Sequence, residues 1–343
     1  METIKELLNK RTIADSTKKV YIKKLEMLHK GLGVEGTDDF GFIKDTDRTM
    51  EWINQFNSAK KRTLFNACMV ALSPASRTII PEDVAKEYKF YSDAAIDENK
   101  AIGEVKMEQK KNEKEDDNWA TMKELKRVLK TYANALKVKG FSIESPPKTN
   151  GDINTLQKLL VGSLYIMQPP RRLEYGNMVR INHEDYSAMD NDKKNQNNFI
   201  VMKTKYKWYF SFGDVKVKQQ KAQIVPLHKD LVKLVKMWVR ATPDAPLLPP
   251  VKCDFGSGCE CLDWGRSFLL TRSGQPQSSN GLSHFIRNNV FEPTGKMIGA
   301  GMLRKIYLSE KYAGDTPLAE KMETAELMNH SVSTADLHYT KKD

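Results

Sequence analysis

The chain has 343 residues, 40% of them hydrophobic and 29% charged, with 55 Lys+Arg against 44 Asp+Glu for a formal net charge of +11. That supply of apolar residues can fill two domain cores and rules out both a bilayer protein and a disordered tail, while the basic excess favours a polyanionic partner, nucleic acid first. Met1 to Arg11 is charged and helix-periodic with no apolar signal-peptide core, and no apolar run reaches the roughly 18 residues that span a membrane. The expectation is a protein that is neither secreted nor membrane-embedded and works inside the cell, in cytoplasm or nucleus, wherever its polyanion lies.

In chain order, Asp15-Ser16-Thr17 is expected to cap a helix whose apolar positions Val20, Tyr21, Leu25 and Leu28 recur at helical spacing. Thr49 to Phe56 repeats the pattern with Met50, Ile53 and Phe56, and Ala59 to Leu72 repeats it with Leu64, Phe65, Cys68 and Leu72. Their other faces carry Lys18, Lys19, Lys23, Lys24, Lys60, Lys61 and Arg62, either a solvated surface or a phosphate-contacting one. This predicts a helical domain over 1–103. The stretch 104–118, EVKMEQKKNEKEDDN, is so charged that it reads as a linker or an exposed helix, leaving 119–343 as the second domain.

In that second domain, Trp119 to Val138 and Asn154 to Met167 read as amphipathic helices separated by the turn-rich FSIESPPKTNG. Asn198–Met202, Trp208–Phe212 and Gln223–Leu227 are short runs rich in β-branched and aromatic residues and predict a small antiparallel sheet. Helices are expected again over Leu231–Arg240, Asn280–Phe291, Gly301–Tyr312 and Thr316–Met328. The fold class is therefore α+β, mainly α. Cys253, Cys259 and Cys261 form a C-x5-C-x-C cluster that could hold zinc, but paired C-x2-C spacing and a nearby fourth ligand are missing, so reduced loop cysteines and no metal or cofactor are expected.

The segment Asn329 to Lys342 reads NHSVSTADLHYTKK and places His330 and Tyr339 at an H-x8-Y interval that no structural rule demands. It resembles the end of the tyrosine recombinase catalytic domain, and upstream segments extend the likeness in order. Pro170-Arg171-Arg172-Leu173-Glu174 is similar to that family's R-x-x-E box at Arg171. The run Phe210 to Lys216 enters the hairpin where the family carries its lysine, and Met302-Leu303-Arg304-Lys305 is similar to its second arginine box. The resemblance covers Trp119 onward, and more loosely the first domain as a helical core-binding domain. In layout it is most similar to integrases of mobile elements and large DNA viruses.

The resemblance implies a DNA recombinase or integrase that cleaves and rejoins strands through a covalent 3′-phosphotyrosyl intermediate, acting on double-stranded DNA as a homotetramer on two duplexes, with no cofactor and no membrane. Tyr339 would be the nucleophile, Arg171 and Arg304 the phosphate clamp and Lys216 the general acid, while His330 would donate a hydrogen bond to the phosphate and assist deprotonation of Tyr339. The chemistry suits these residue types. The transition state gathers charge on non-bridging oxygens, which planar guanidiniums match in a bidentate fork, and the departing 5′ oxygen needs a proton. Lys203, Lys218 and Lys221 compete with Lys216, and Arg171 is preferred to Arg172 because Glu174 follows three residues later. Two departures stand out: Gly301 occupies the position where the family commonly has a histidine, and the chain ends at Asp343, close behind Tyr339. Alternative readings are a type IB topoisomerase-like or resolvase activity, or a DNA-binding relative with weakened catalysis.

Overall fold

In the computed structural model, the structure describes residues 4–9, 11–34, 40–73, 78–203, 207–213, 222–247 and 265–341. The chain divides into two compact units, Met1–Glu108 and Gln109–Asp343.

The first unit is helical: α1 (Ile4–Asn9), α2 (Asp15–Gly31), α3 (Thr46–Ile53), α4 (Ser58–Leu72) and α5 (Ala85–Met107). Its core gathers Leu25, Leu28, Ile53, Leu64, Phe65, Cys68 and Tyr91. Of the expected stripe on α2, Leu25 and Leu28 are buried while Val20 is exposed. The cap differs from expectation: Ala14 holds the N-cap position without a side-chain bond, and Asp15 lies inside the first turn, where a carboxylate favours the positive helix end. The 23-residue α5 has no apolar stripe to announce it, since of its residues only Tyr91 and Ala95 are buried. Tyr91 anchors it by donating to the Ile43 carbonyl at 2.7 Å, a bond that a buried phenol requires.

The second unit contains α6 (Glu113–Asp117), α7 (Met122–Val138), α8 (Asn150–Ile166), α9 (His183–Ala188), α10 (Asn191–Gln196), α11 (Lys229–Ala241), α12 (Ser279–Phe285), α13 (Ala300–Lys311) and α14 (Leu318–Leu327). The charged stretch 104–118 is helical at both ends, closing α5 and forming α6. Helix α8 is buried nearly all round from Leu156 to Ile166, which makes it the central helix of the core. Helix α7 packs against it closely at Gly162, where a Cβ would lie 2.5 Å from the Leu129 Cδ2 atom. A larger residue there would force the Leu129 side chain aside.

Five strands form one sheet in the order β4-β3-β2-β1-β5: β1 (Val179–Asn182), β2 (Asn198–Met202), β3 (Trp208–Phe212), β4 (Gln223–Pro226) and β5 (Arg266–Ser267). The sheet is mixed rather than wholly antiparallel, because β1 and β2 pair in parallel with Val179 opposite Phe199 and Asn182 opposite Met202. Parallel neighbours need a crossover, supplied here by α9 and α10. Among the described residues, no helix is long and apolar enough to cross a membrane. The cluster Cys253, Cys259 and Cys261 lies outside the described residues.

Candidate active site

Arg171 sits in the loop between α8 and β1, a segment that burial of its aromatic residues holds in place. Tyr165 and Tyr175 are fully buried and meet edge to face, Tyr175 accepts from Gln168, and the Tyr165 hydroxyl donates to the Arg172 carbonyl. The Arg171 guanidinium lies 4.1 Å above the Phe212 ring, an arrangement suited to a planar, weakly hydrated cation. It donates from Nη1 to Gln223 Oε1 at 2.7 Å and to the Leu327 carbonyl at 2.8 Å, while Glu174 stands 3.7 Å from its Nε. The spacing of Arg171 and Glu174 thus corresponds to a real ion pair on one turn of loop.

Arg304, on α13, is 1% exposed. Its Nη1 donates to the Pro170 carbonyl at 2.6 Å, and both terminal nitrogens reach the Met328 carbonyl at 3.3–3.4 Å. The C-terminal end of α14 therefore serves both arginines, offering Leu327 to one and Met328 to the other. The last carbonyls of a helix lack intrahelical partners and carry its partial negative charge, so they hold cations without neutralising them.

The same helix end sets His330. Asn329 adopts a left-handed conformation with φ 55°. The Asn329 N–H then bonds the Glu326 carbonyl at 2.9 Å, and the His330 N–H bonds the Ala325 carbonyl at 3.1 Å. These are the two bonds of a Schellman cap, and asparagine is the non-glycine residue best suited to its left-handed position. His330 Nδ1 lies 3.1 Å from the Ser331 carbonyl. A carbonyl only accepts, so Nδ1 carries the proton and Nε2 keeps its lone pair.

Tyr339 ends a π-helical turn, Ala335–Tyr339. Its ring stacks on His330 with centroids 5.3 Å apart and planes 18° from parallel, and the Arg304 guanidinium lies 4.6 Å from the ring centre. Burial pushes the Tyr339 phenol toward higher pKa, but the charges and hydrogen bonding of Arg304 and Arg172 outweigh it and leave the pKa below the ordinary tyrosine value. His330 is lowered to about 4, first by burial and then by Arg304, so it is neutral at physiological pH. Burial likewise lowers Arg171 and Arg304, opposed by Glu174 and Tyr339 respectively. Arg171 Nε, Arg304 Nε and His330 Nε2 are all buried without a hydrogen-bond partner.

Four of the five residues singled out in the sequence thus meet within one unit: Arg171, Arg304, His330 and Tyr339. Lys216 lies outside the described residues. At Gly301, near the start of α13, an added Cβ would meet no atom within 4 Å, so the position is open and supplies no donor. Arg172, set below Arg171 on the sequence, also reaches the site. It is exposed, yet its guanidinium acts on the Tyr339 phenol. Its signal was only adjacency to Arg171. Gln223, which bridges Arg171 and the Glu326 carbonyl, left no signal at all.

No protein-family model matches this chain, and no curated protein does. A solved structure, the crystal structure of XerA recombinase, is similar over 99% of this chain and 93% of that one, at 11% sequence identity and TM-score 0.39.

Proposed function

We propose that this protein is a site-specific DNA recombinase or integrase of the tyrosine type, with Tyr339 as its nucleophile. The observation that carries the reading is the stack of Arg304, Tyr339 and His330: a phenol held by cations, beside a neutral imidazole with a free lone pair. Isolated surface tyrosines have neither feature.

The chemistry follows from that arrangement. The Tyr339 oxygen attacks a DNA phosphorus as its proton passes to His330 Nε2. Arg171 and Arg304 take the negative charge that grows on the non-bridging oxygens. The bond from phosphorus to the 5′ oxygen breaks, and that oxygen takes a proton from a general acid, the role the family resemblance assigns to Lys216. The products are a 3′-phosphotyrosyl enzyme and a free 5′ hydroxyl. Attack by a 5′ hydroxyl on the same phosphorus reverses each step, so rejoining needs no external energy source. Strand exchange takes two duplexes and four copies of the chain.

Charge supports duplex DNA as the partner. Besides the net +11, the first unit crowds Lys24 near Lys60 and Lys23, and burial first and then those two charges lower its pKa. A phosphate backbone would relieve that repulsion.

The test is incubation with a pool of nicked, random-sequence duplexes carrying a 5′-bridging phosphorothiolate, which traps the adduct. A covalent protein–DNA band is expected on a denaturing gel, and Tyr339→Phe should abolish it. Persistence of the band in that variant would overturn the assignment. Relaxation of a supercoiled plasmid lacking any special site would favour the topoisomerase-like reading over recombination.

A further inference from the structure

The short charged helix α6 looked in the sequence like part of a solvated linker, yet it contains Glu115, which is only 7% exposed. Its carboxylate has three partners. Oε2 accepts from the Asn112 N–H at 3.2 Å, closing a capping box on α6. Oε1 pairs with Lys305, the residue next to Arg304 on α13, and Oε2 lies 3.3 Å from Lys341 Nζ, two residues beyond Tyr339. Burial pushes the Glu115 pKa up, but Lys305, the Asn112 N–H and Lys341 outweigh it and leave the pKa below the ordinary glutamate value.

Further bonds tie the same segments together. Gln109 donates from Nε2 to the Asp336 carbonyl at 2.8 Å, inside the π-helical turn that ends at Tyr339. Lys341 Nζ donates to the Lys110 carbonyl at 2.9 Å, and the Lys341 N–H donates to Ser309 Oγ on α13 at 2.8 Å. Residues 109–115 therefore grip the nucleophile segment on both sides of Tyr339 while also holding the helix that carries Arg304. A π-helical turn is a poorly self-supporting conformation and depends on such outside contacts.

We propose that Glu115 is a positioning residue, a buried anionic anchor through which α6 holds the Tyr339 segment in register with Arg304. It touches neither phosphate nor phenol. Its effect on rate would come through geometry, where a displacement of about 1 Å costs on the order of 100-fold. The catalytic part of this inference rests on the functional reading above, whereas the mechanical part does not.

The experiment separates the two. Hydrogen–deuterium exchange is measured on wild type, Glu115→Gln, Glu115→Asp and Lys341→Met, alongside single-turnover adduct formation on the phosphorothiolate duplex pool and duplex binding by anisotropy. The expected result is faster exchange confined to residues 335–341 in Glu115→Gln and Lys341→Met. Adduct formation should fall roughly 10- to 100-fold with binding changed less than about twofold, and Glu115→Asp should recover part of the rate. The Lys341→Met variant leaves α6 and its capping box intact should Glu115→Gln fail to fold. Unchanged exchange over 335–341 in both variants, or exchange raised evenly through the whole unit, overturns the proposal. If the wild type forms no adduct, the functional reading falls, and the exchange data still decide whether Glu115 anchors the segment.

Discussion

Arg180 on β1 and the pair Arg171 and Arg304 are buried to nearly the same degree, at 4%, 2% and 1% exposure. The Nε of each of the three also lacks a hydrogen-bond partner. What differs is the company. Arg180 spends both terminal nitrogens on the Thr242 carbonyl, the Thr242 hydroxyl and the Phe268 carbonyl, at 2.9, 2.7 and 3.3 Å. Burial and then Arg266 lower its pKa to about 10, so it remains a cation, with no phenol or imidazole among those partners. Arg171 and Arg304 are instead fixed from behind by the carbonyl end of α14, and a tyrosine and a histidine complete their surroundings. Burial of a guanidinium, or an orphaned nitrogen on it, does not by itself mark a site. Convergence with a phenol and an imidazole is what sets Arg171 and Arg304 apart.

The sharpest test of that contrast replaces the arginines. Arg304→Ala and Arg171→Ala should each lower single-turnover adduct formation by about 10²–10³-fold, the size of losing one preorganised transition-state donor, with duplex binding much less affected. Arg304→Lys should not restore the rate, because a point charge cannot reproduce the planar fork. Arg180→Met should do the opposite. It removes three hydrogen bonds to Thr242 and Phe268 and should cost on the order of 1–3 kcal/mol in chemical denaturation, while cleavage per folded molecule stays at the wild-type level. Equal loss of cleavage in the Arg180 and Arg304 variants would erase the distinction.

A smaller effect belongs to Arg172. Removing its charge in Arg172→Gln withdraws part of what lowers the Tyr339 pKa, so the pH–rate profile for cleavage should move to higher pH, with less than about a tenfold loss near neutrality. An unmoved profile would show Arg304 alone to be sufficient.

A separate test concerns stability against pH. His330 has a folded pKa of about 4 against an ordinary 6.5. Below pH 6.5 the unfolded chain takes up a proton that the folded site refuses, so stability falls as pH drops from about 6.5 toward 4, and above that window the group contributes no slope. The melting-temperature difference between wild type and His330→Gln, followed across those pH values, should shift in favour of the variant on acidification. A constant difference would mean that His330 titrates normally.

How much was legible in the sequence depended on whether a residue's signal was local. Helices α2, α4, α7 and α11 show apolar periodicity and were readable, as were β2, β3 and β4. β1 and β5 were not, because VRIN and a two-residue strand give no alternation to detect. Helix α5 was missed for want of a stripe. In the site, type, chain order and the H-x8-Y interval pointed to Arg171, Arg304, His330 and Tyr339, while Asn329 could have been noticed as a residue that tolerates the left-handed turn. Glu115 could not. A glutamate within a charged run looks solvated until the two lysines that neutralise it, distant in sequence, are brought beside it.

The sequence by itself determined the basic charge balance, the periodic helical stretches and the residue types set out for a proposed site, because charge balance, periodicity and functional-group type are properties of the chain. Only the tertiary structure decided their states. That His330 is neutral with a free Nε2, that the Tyr339 phenol is lowered, and that two buried cations share one helix end all follow from burial and from charges many residues apart. These are through-space effects, and no linear pattern records them.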